Sequence, residues 1–120
     1  MNNKKAITAL KRKIKQNFTE LVNLQEKILL PRQMISASLI ERYLGTKEHK
    51  RISPAFYLSF SQNGKTKLKY VPRNRLKTMR TQAVEWKRYQ QALRRWRQLS
   101  KSIWQNFKQL GKLQDQLELK

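Results

Sequence analysis

The feature that most constrains the fold is a stretch of about 45 residues, from 73 to 117, that contains no proline. It holds two series of mainly apolar residues spaced by seven: Tyr89, Trp96, Ile103, Leu110 and Leu117, and Met79, Trp86, Leu93, Ser100, Phe107 and Gln114. This spacing predicts one long helix with an apolar seam. At 1.5 Å per residue, the helix extends about 65 Å. Because a small sheet cannot cover so long a seam, we expect it to pack also on another helix or on a second copy of the chain.

A second helix is predicted for residues 3–29, which contain neither glycine nor proline. Pro31 ends it, because proline lacks the N–H of a helical ladder and disfavours helix at the residue before it. Phe18 widens its apolar stripe. The stripe follows a seven-residue repeat with one polar member: Ile7, Leu10, Ile14, Asn17, Leu21, Leu24 and Ile28.

Residues 34–71 predict a small antiparallel sheet of two or three strands. Asn63-Gly64 lies between two runs of β-branched and aromatic residues, and this pair is a strong hairpin signal because both central turn residues need positive φ. A two-residue loop places Tyr57 opposite Tyr70. One face then carries Tyr57, Ser59, Leu68 and Tyr70, and the other carries Phe56, Leu58, Phe60, Val71, Lys67 and Lys69. The segment around Leu39 is the candidate third strand.

The sequence therefore predicts an α+β fold in a single domain over residues 1–120, with a helix at 3–29, a small sheet at 34–71 and a long helix at 73–117. For the sheet aromatics we expect a place in the core between sheet and helix, although such residues also stack on unpaired bases in RNA-binding sheets. These are Phe56, Tyr57, Phe60 and Tyr70. For the helical aromatics we expect the core or an interface: Trp86, Trp96, Trp104 and Phe107.

The charge of the chain predicts a polyanionic partner. There are 28 Lys and Arg but only 7 Asp and Glu, for a formal net charge of +21, so an isolated compact chain repels itself. Nucleic acid is the first candidate. The absence of cysteine excludes disulfides, thiolate zinc sites and a cysteine nucleophile. With one histidine and scattered carboxylates, we expect no metal site, no cofactor and no enzymatic activity, since a nuclease or transposase needs clustered carboxylates for its metal ions. We expect a cytoplasmic protein without a membrane segment.

The long helix carries a second seven-residue series, which is basic and lies on the face opposite the seam: Arg73, Arg80, Lys87, Arg94, Lys101 and Lys108. Arg88, Arg95 and Arg97 broaden it, and Glu85 is the only acidic residue between Arg73 and Lys108. A solvated coiled-coil surface is the alternative explanation, but such a surface usually mixes charges of both signs. We therefore predict nucleic-acid contact by Arg73, Arg80, Lys87, Arg88, Arg94, Arg95 and Lys101.

Two further basic clusters are candidate contacts. The first consists of the loop and hairpin cations Lys47, Lys50, Arg51, Lys65, Lys67 and Lys69. The alternative is that the loop lysines only keep the protein soluble. Lys11, Arg12, Lys13 and Lys15 on the first helix form the other cluster. Loop and hairpin side chains can enter a groove while a neighbouring helix follows the phosphates.

The middle of the chain resembles an uncharacterised prokaryotic family of small basic proteins that are frequently encoded in or beside transposable elements. The matching elements are Ser38-Leu39-Ile40-Glu41-Arg42-Tyr43, then Pro54-Ala55-Phe56-Tyr57-Leu58-Ser59-Phe60, Asn63-Gly64 and Tyr70-Val71-Pro72, followed by a long basic helix. The resemblance covers about residues 36–105 and implies a mobile-element context. The family also has a cysteine-rich knuckle, which is replaced here by residues 44–51 without cysteine, so metal ligation does not carry over.

The leading hypothesis is a non-catalytic nucleic-acid-binding accessory protein of a mobile element that binds DNA mainly through phosphates. One alternative is an RNA-binding subunit of a stable ribonucleoprotein. Another is a coiled-coil interaction module that recruits a larger nuclease or integrase. A second copy of the chain or a larger mobile-element protein is the expected protein partner.

Overall fold

A computed structural model describes residues 3–43 and 54–117 of the chain. The elements follow in the order α1 (Asn3–Leu29), β1 (Ser38–Arg42), β2 (Ala55–Gln62), β3 (Lys65–Val71) and α2 (Arg73–Gln114). The predicted α+β fold is confirmed. Helix α2 ends three residues before the predicted end at Leu117, whose backbone N–H binds Asp115 Oδ1 at 2.9 Å instead of continuing the helix.

The chain forms two compact units. The helical unit combines α1 with the part of α2 from Gln91 onward. The sheet unit, Pro31–Gln90, holds the three strands and the first part of α2. Helix α2 therefore contributes side chains to both units. The prediction of a single domain over residues 1–120 stays a prediction.

The turn at Asn63-Gly64 determines the register of the β2–β3 hairpin. Asn63 has a φ of 52° and Gly64 a φ of 77°, the two positive values that a tight two-residue hairpin requires. Tyr57 lies opposite Tyr70, as predicted. Strand β1 pairs antiparallel with β2 and completes a sheet of order β1-β2-β3, so the third strand is also confirmed.

One face of the sheet packs on α2 and forms the core of the sheet unit. Ala37, Leu58 and Val71 are buried there, surrounded by Ile35, Leu39, Phe56, Phe60, Leu76 and Met79. The Ile35 N–H donates to the Gln82 carbonyl at 3.1 Å, which ties the residues before β1 to the helix. The core prediction is therefore right for Phe56 and Phe60.

For Tyr57 and Tyr70 the core prediction is wrong. Both residues lie on the face of the sheet opposite Leu58 and Phe60, because side chains alternate along each strand. Their rings meet edge to face, with centroids 5.7 Å apart, and Tyr70 is 57% exposed. The face that carries them is the one that the hairpin register predicts.

The seam of α1 follows the prediction. Leu10 and Ile14 are buried, and the other five members are half-buried: Ile7, Asn17, Leu21, Leu24 and Ile28. Phe18 contacts Phe107, with ring centroids 6.0 Å apart, and Glu20 binds Arg95. Since the higher-numbered residue of α1 contacts the lower-numbered residue of α2, the two helices of this unit run antiparallel.

In the helical unit, one of the two series predicted for α2 is wrong. Leu99, Ile103 and Asn106 are buried, whereas Leu93, Phe107 and Gln114 of that series are exposed. In the other series, Ile103 is buried and Leu110 half-buried, but Trp96 and Leu117 are exposed. A seam through Ile103 can be completed by residues three or four positions away on either side. Helix α1 covers the side of Leu99 and Asn106, whereas Leu93 stays exposed and Phe107 is 43% exposed despite its contact with Phe18. The series that faces α1 is Ala92, Leu99, Asn106 and Leu113. Because one member is small and one is polar, the apolar pattern of the sequence did not indicate it.

The helical tryptophans differ in their surroundings. Trp86 is half-buried and its ring lies 6.3 Å from that of Tyr89. Trp104 is 60% exposed, and Trp96 and Phe107 are exposed as well. These last three side chains do not lie in a core of the described chain, which leaves an interface as their predicted role.

Candidate nucleic-acid interface

In the sheet unit, cations from β3 and α2 share one face of the sheet. Lys67 and Lys69 lie in register with Phe60 and Leu58, so they are on the face that packs on α2. The guanidinium of Arg80 lies 5.6 Å from the centre of the Phe56 ring. Lys69 lines a groove beside Met79. The fold thus brings the predicted hairpin cations Lys67 and Lys69 to the same side as a member of the helical series. Lys65 lies exposed at the end of the hairpin.

The first three members of the helical series are exposed on α2. Arg73, Arg80 and Lys87 are seven residues apart, which separates successive Cα atoms by about 10 Å along the helix. Arg88 is different, because its Nη1 lies 3.0 Å from Glu85 Oε1. Glu85 also approaches Arg32 at 3.7 Å. A carboxylate therefore neutralises part of the charge of Arg88.

In the helical unit, two neighbouring arginines of α2 have opposite surroundings. Arg95 donates to both carboxylate oxygens of Glu20, from Nε at 2.9 Å and from Nη2 at 3.1 Å. This two-point contact holds the guanidinium against α1. Arg94 is exposed and makes no ion pair within residues 3–43 and 54–117. With Lys101 and Lys108, it continues the seven-residue spacing.

A groove of the helical unit brings together two cations from different helices. Lys13 of α1 and Lys101 of α2 both line it, along with Gln98, Ser102, Gln105 and Asn106. Lysine ammonium groups and amide or hydroxyl donors are the groups that bind phosphate oxygens. The sequence prediction did not join Lys13 to Lys101. The signal for it is that Lys13 directly precedes Ile14 of the α1 seam, a position that flanks the partner helix.

The outer surface of α1 carries the remaining predicted contacts. Lys11 and Arg12 are exposed and line a shallow depression with Lys15, Thr8, Gln16 and Thr19. Thr19 donates its hydroxyl hydrogen to the Lys15 carbonyl and so remains within its own helix. The predicted loop contacts Lys47, Lys50 and Arg51 lie outside the described residues.

Metal and membrane features are absent from the described residues. Within residues 3–43 and 54–117, no group of three or more His, Cys, Asp and Glu side chains is close enough to hold a metal ion. Neither described helix has the length and apolar character needed to cross a membrane.

Comparisons with known proteins do not assign the chain to a group. No family model, no curated protein and no solved structure matches it. The resemblance to small basic mobile-element proteins therefore stays a prediction from the sequence.

Proposed function

We propose that this protein is a non-catalytic nucleic-acid-binding protein in which each unit contacts phosphates, the sheet unit with cations of the hairpin and α2 and the helical unit with cations of α1 and α2. The observation that carries the proposal is how the cations are partnered. The ion pairs of the described chain engage Arg32, Arg88 and Arg95. None of them engages Arg94 or Lys101, which lie exposed in the seven-residue series. Within residues 3–43 and 54–117, no carboxylate pairs with Arg94 or Lys101, and both side chains are exposed.

Counterion release supplies the affinity in this proposal. Double-stranded DNA has one negative charge per about 1.7 Å of axis, and each phosphate that a lysine or arginine neutralises releases condensed counterions. Cations spaced by about 10 Å along α2 reach phosphates at intervals along a backbone. The groove with Lys13 and Lys101 adds amide and hydroxyl donors to this contact.

Duplex DNA is the target that we favour, with an accessory role in a mobile element as the context that the resemblance implies. Binding of a labelled 20-base-pair duplex, measured by fluorescence anisotropy from 0.05 to 0.3 M NaCl, tests the proposal. We expect the logarithm of the association constant to fall linearly with the logarithm of salt concentration. The expected slope is about −4 or steeper, which corresponds to four or more phosphate contacts. No binding at 0.05 M salt, or a slope near zero, contradicts the proposal.

RNA or another unpaired strand is the second candidate target, and the half-buried Tyr57 and the exposed Tyr70 on the uncovered face of the sheet favour it. Tyr57 and Tyr70 lie on the face of the sheet opposite the core, so their rings are not committed to packing on α2. Two adjacent aromatic rings on a sheet face can stack unpaired bases, and the neighbouring Ser59 and Leu68 on this face carry no charge.

Replacing Tyr70 by leucine separates the two targets. If unpaired bases stack on this face, the variant loses about five- to one-hundred-fold in affinity for a 12-nucleotide single strand, because one stacked base contributes about 1–3 kcal/mol. Tyr70→Phe retains the ring and is the matched control, expected to bind like the unaltered chain. Duplex affinity is expected to stay constant in both variants. Equal losses for duplex and single strand would contradict a stacking role.

A further inference from the structure

Helix pairing in the helical unit leaves one apolar surface uncovered. The rings of Phe18 and Phe107 approach to 6.0 Å, so the exposed apolar residues of α1 and α2 join across the groove between the helices. On α2, these residues are spaced by three, eight and three positions, which places them on one side of the helix. We call the resulting surface the apolar flank; its exposed members are Phe18, Val22, Leu93, Trp96, Trp104 and Phe107.

The other flank of the helix pair has a different character. Glu20 is two residues from Phe18, so their side chains point about 160° apart around α1. Glu20 forms the two-point contact with Arg95 on that side. The unit therefore has one flank closed by an ion pair and one flank whose apolar side chains stay exposed, with the Lys108 ammonium 5.9 Å from the centre of the Trp104 ring. Exposed apolar patches of this kind mark sites of association.

The size of the apolar flank matches the lower limit for a specific dimer. Its four aromatic members have side-chain areas of about 150–250 Å² each, and the exposed fractions of these residues together with those of Val22 and Leu93 leave roughly 500 Å² uncovered per copy. Two copies that meet on this flank bury roughly 1,000 Å², near the smallest area of stable interfaces. In a pair of helices, each helix buries only the one side that faces its partner. In a four-helix bundle, each helix packs on two neighbours and so buries two of its sides.

Gly111 leaves room for close approach to the side of α2 that carries the apolar flank. It follows Phe107 by four residues and Trp104 by seven, so it lies on the side of α2 that carries the apolar flank. A Cβ placed on it meets no described atom within 4 Å. Nothing in the described chain therefore requires glycine there, although glycine is among the least favourable residues inside a helix. A glycine allows another backbone to come close.

We propose that the apolar flank is the interface through which two copies of this chain pair, each helical unit supplying two helices of a four-helix bundle. The same surface serves on both copies, as two-fold pairing requires. Each copy carries a net charge of +21, so repulsion opposes pairing and added salt screens it. Pairing is therefore strengthened by salt, in contrast to phosphate binding. The proposal does not depend on the proposed function.

Sedimentation velocity of the full chain, free of nucleic acid, tests the proposal between 0.1 and 1 M NaCl. We expect a dimer whose fraction rises with protein concentration and with salt. The double variant Trp104→Gln, Phe107→Gln is expected to weaken pairing at least one-hundred-fold. Tyr43→Gln, which also removes an exposed aromatic ring, is the control and is expected to leave pairing unchanged.

Gly111→Leu keeps the test independent of folding. Leucine favours helix over glycine, so the variant is expected to gain helicity by circular dichroism while pairing weakens at least ten-fold. A chain that stays monomeric at 100 μM and 1 M NaCl overturns the proposal. The proposal is also overturned if the chain dimerises but neither the Trp104 and Phe107 double variant nor the Gly111 variant changes the dissociation constant of the dimer. A third result also overturns it: the chain is monomeric, and the Trp104 and Phe107 double variant loses affinity only for single-stranded nucleic acid. In that case the apolar flank binds unpaired bases.

Discussion

Replacing both Arg94 and Lys101 by glutamine is expected to weaken the binding of a 20-base-pair duplex by about fifty-fold at 0.1 M salt. Both side chains are exposed, and neither forms an ion pair within the described chain. Each lost phosphate contact removes about 0.9 from the magnitude of the salt slope. We therefore expect the slope of log K against log salt to become less steep by about two, as measured by anisotropy titrations at several salt concentrations.

The matched control replaces Arg88 and Arg95 by glutamine. This pair has the same seven-residue spacing on α2 and removes the same formal charge. Its guanidinium groups, however, are bound to Glu85 and Glu20. Because these pairs are largely exposed, their loss costs at most about 1 kcal/mol of stability each. We expect a change in slope below one. An equal effect of the two double variants would show that only total charge matters, and would count against the proposed arrangement of contacts.

Leu99→Ala is expected to lower the free energy of unfolding of the helical unit by about 3 kcal/mol. Leu99 is only 3% exposed, and truncating a buried leucine removes apolar contacts and leaves a cavity. The helical unit has few buried side chains, so a loss of this size is a large share of its stability. Urea denaturation followed by circular dichroism at 222 nm measures it.

Leu93→Ala is the control for the Leu99 variant, because it makes the same truncation six residues earlier on α2. Leu93 is 42% exposed, so we expect a change within about 1 kcal/mol in the free energy of unfolding. The comparison is made at a protein concentration below that of any self-association, since Leu93 belongs to the apolar flank. A larger loss for Leu93 than for Leu99 would restore the seam predicted from the sequence.

Local signals in the sequence predicted the elements of this fold well. Asn63-Gly64 determined the turn and, through the two-residue loop, the pairing of Tyr57 with Tyr70. Pro31 and the long proline-free stretches gave the ends of α1 and the start of α2 to within one residue. Such signals act within a few residues of the chain, so they do not depend on what packs on the element.

Predictions that depended on a packing partner were less successful. Ile103 is compatible with two seams, and only the position of α1 selects the one with Leu99 and Asn106. The sheet alternation correctly separated Tyr57 from Leu58, but it could not tell which faces would be covered. The contact of Arg95 with Glu20 joins residues 75 positions apart, and no local pattern indicates such a pair. Charge spacing alone therefore treated Arg94 and Arg95 as equivalent.

The buried amide of Asn106 has a consequence for the accuracy of helix pairing. Asn106 is 8% exposed, and its Nδ2 finds no hydrogen-bond acceptor among the described residues. An unsatisfied buried amide costs about 1–3 kcal/mol, so a leucine at this position would give a stronger helix pair. A polar residue in the seam also disfavours other registers of the two helices, because in those registers it would pack only on aliphatic side chains. The helical unit thus gives up some strength of association in return for a single alignment of its two helices.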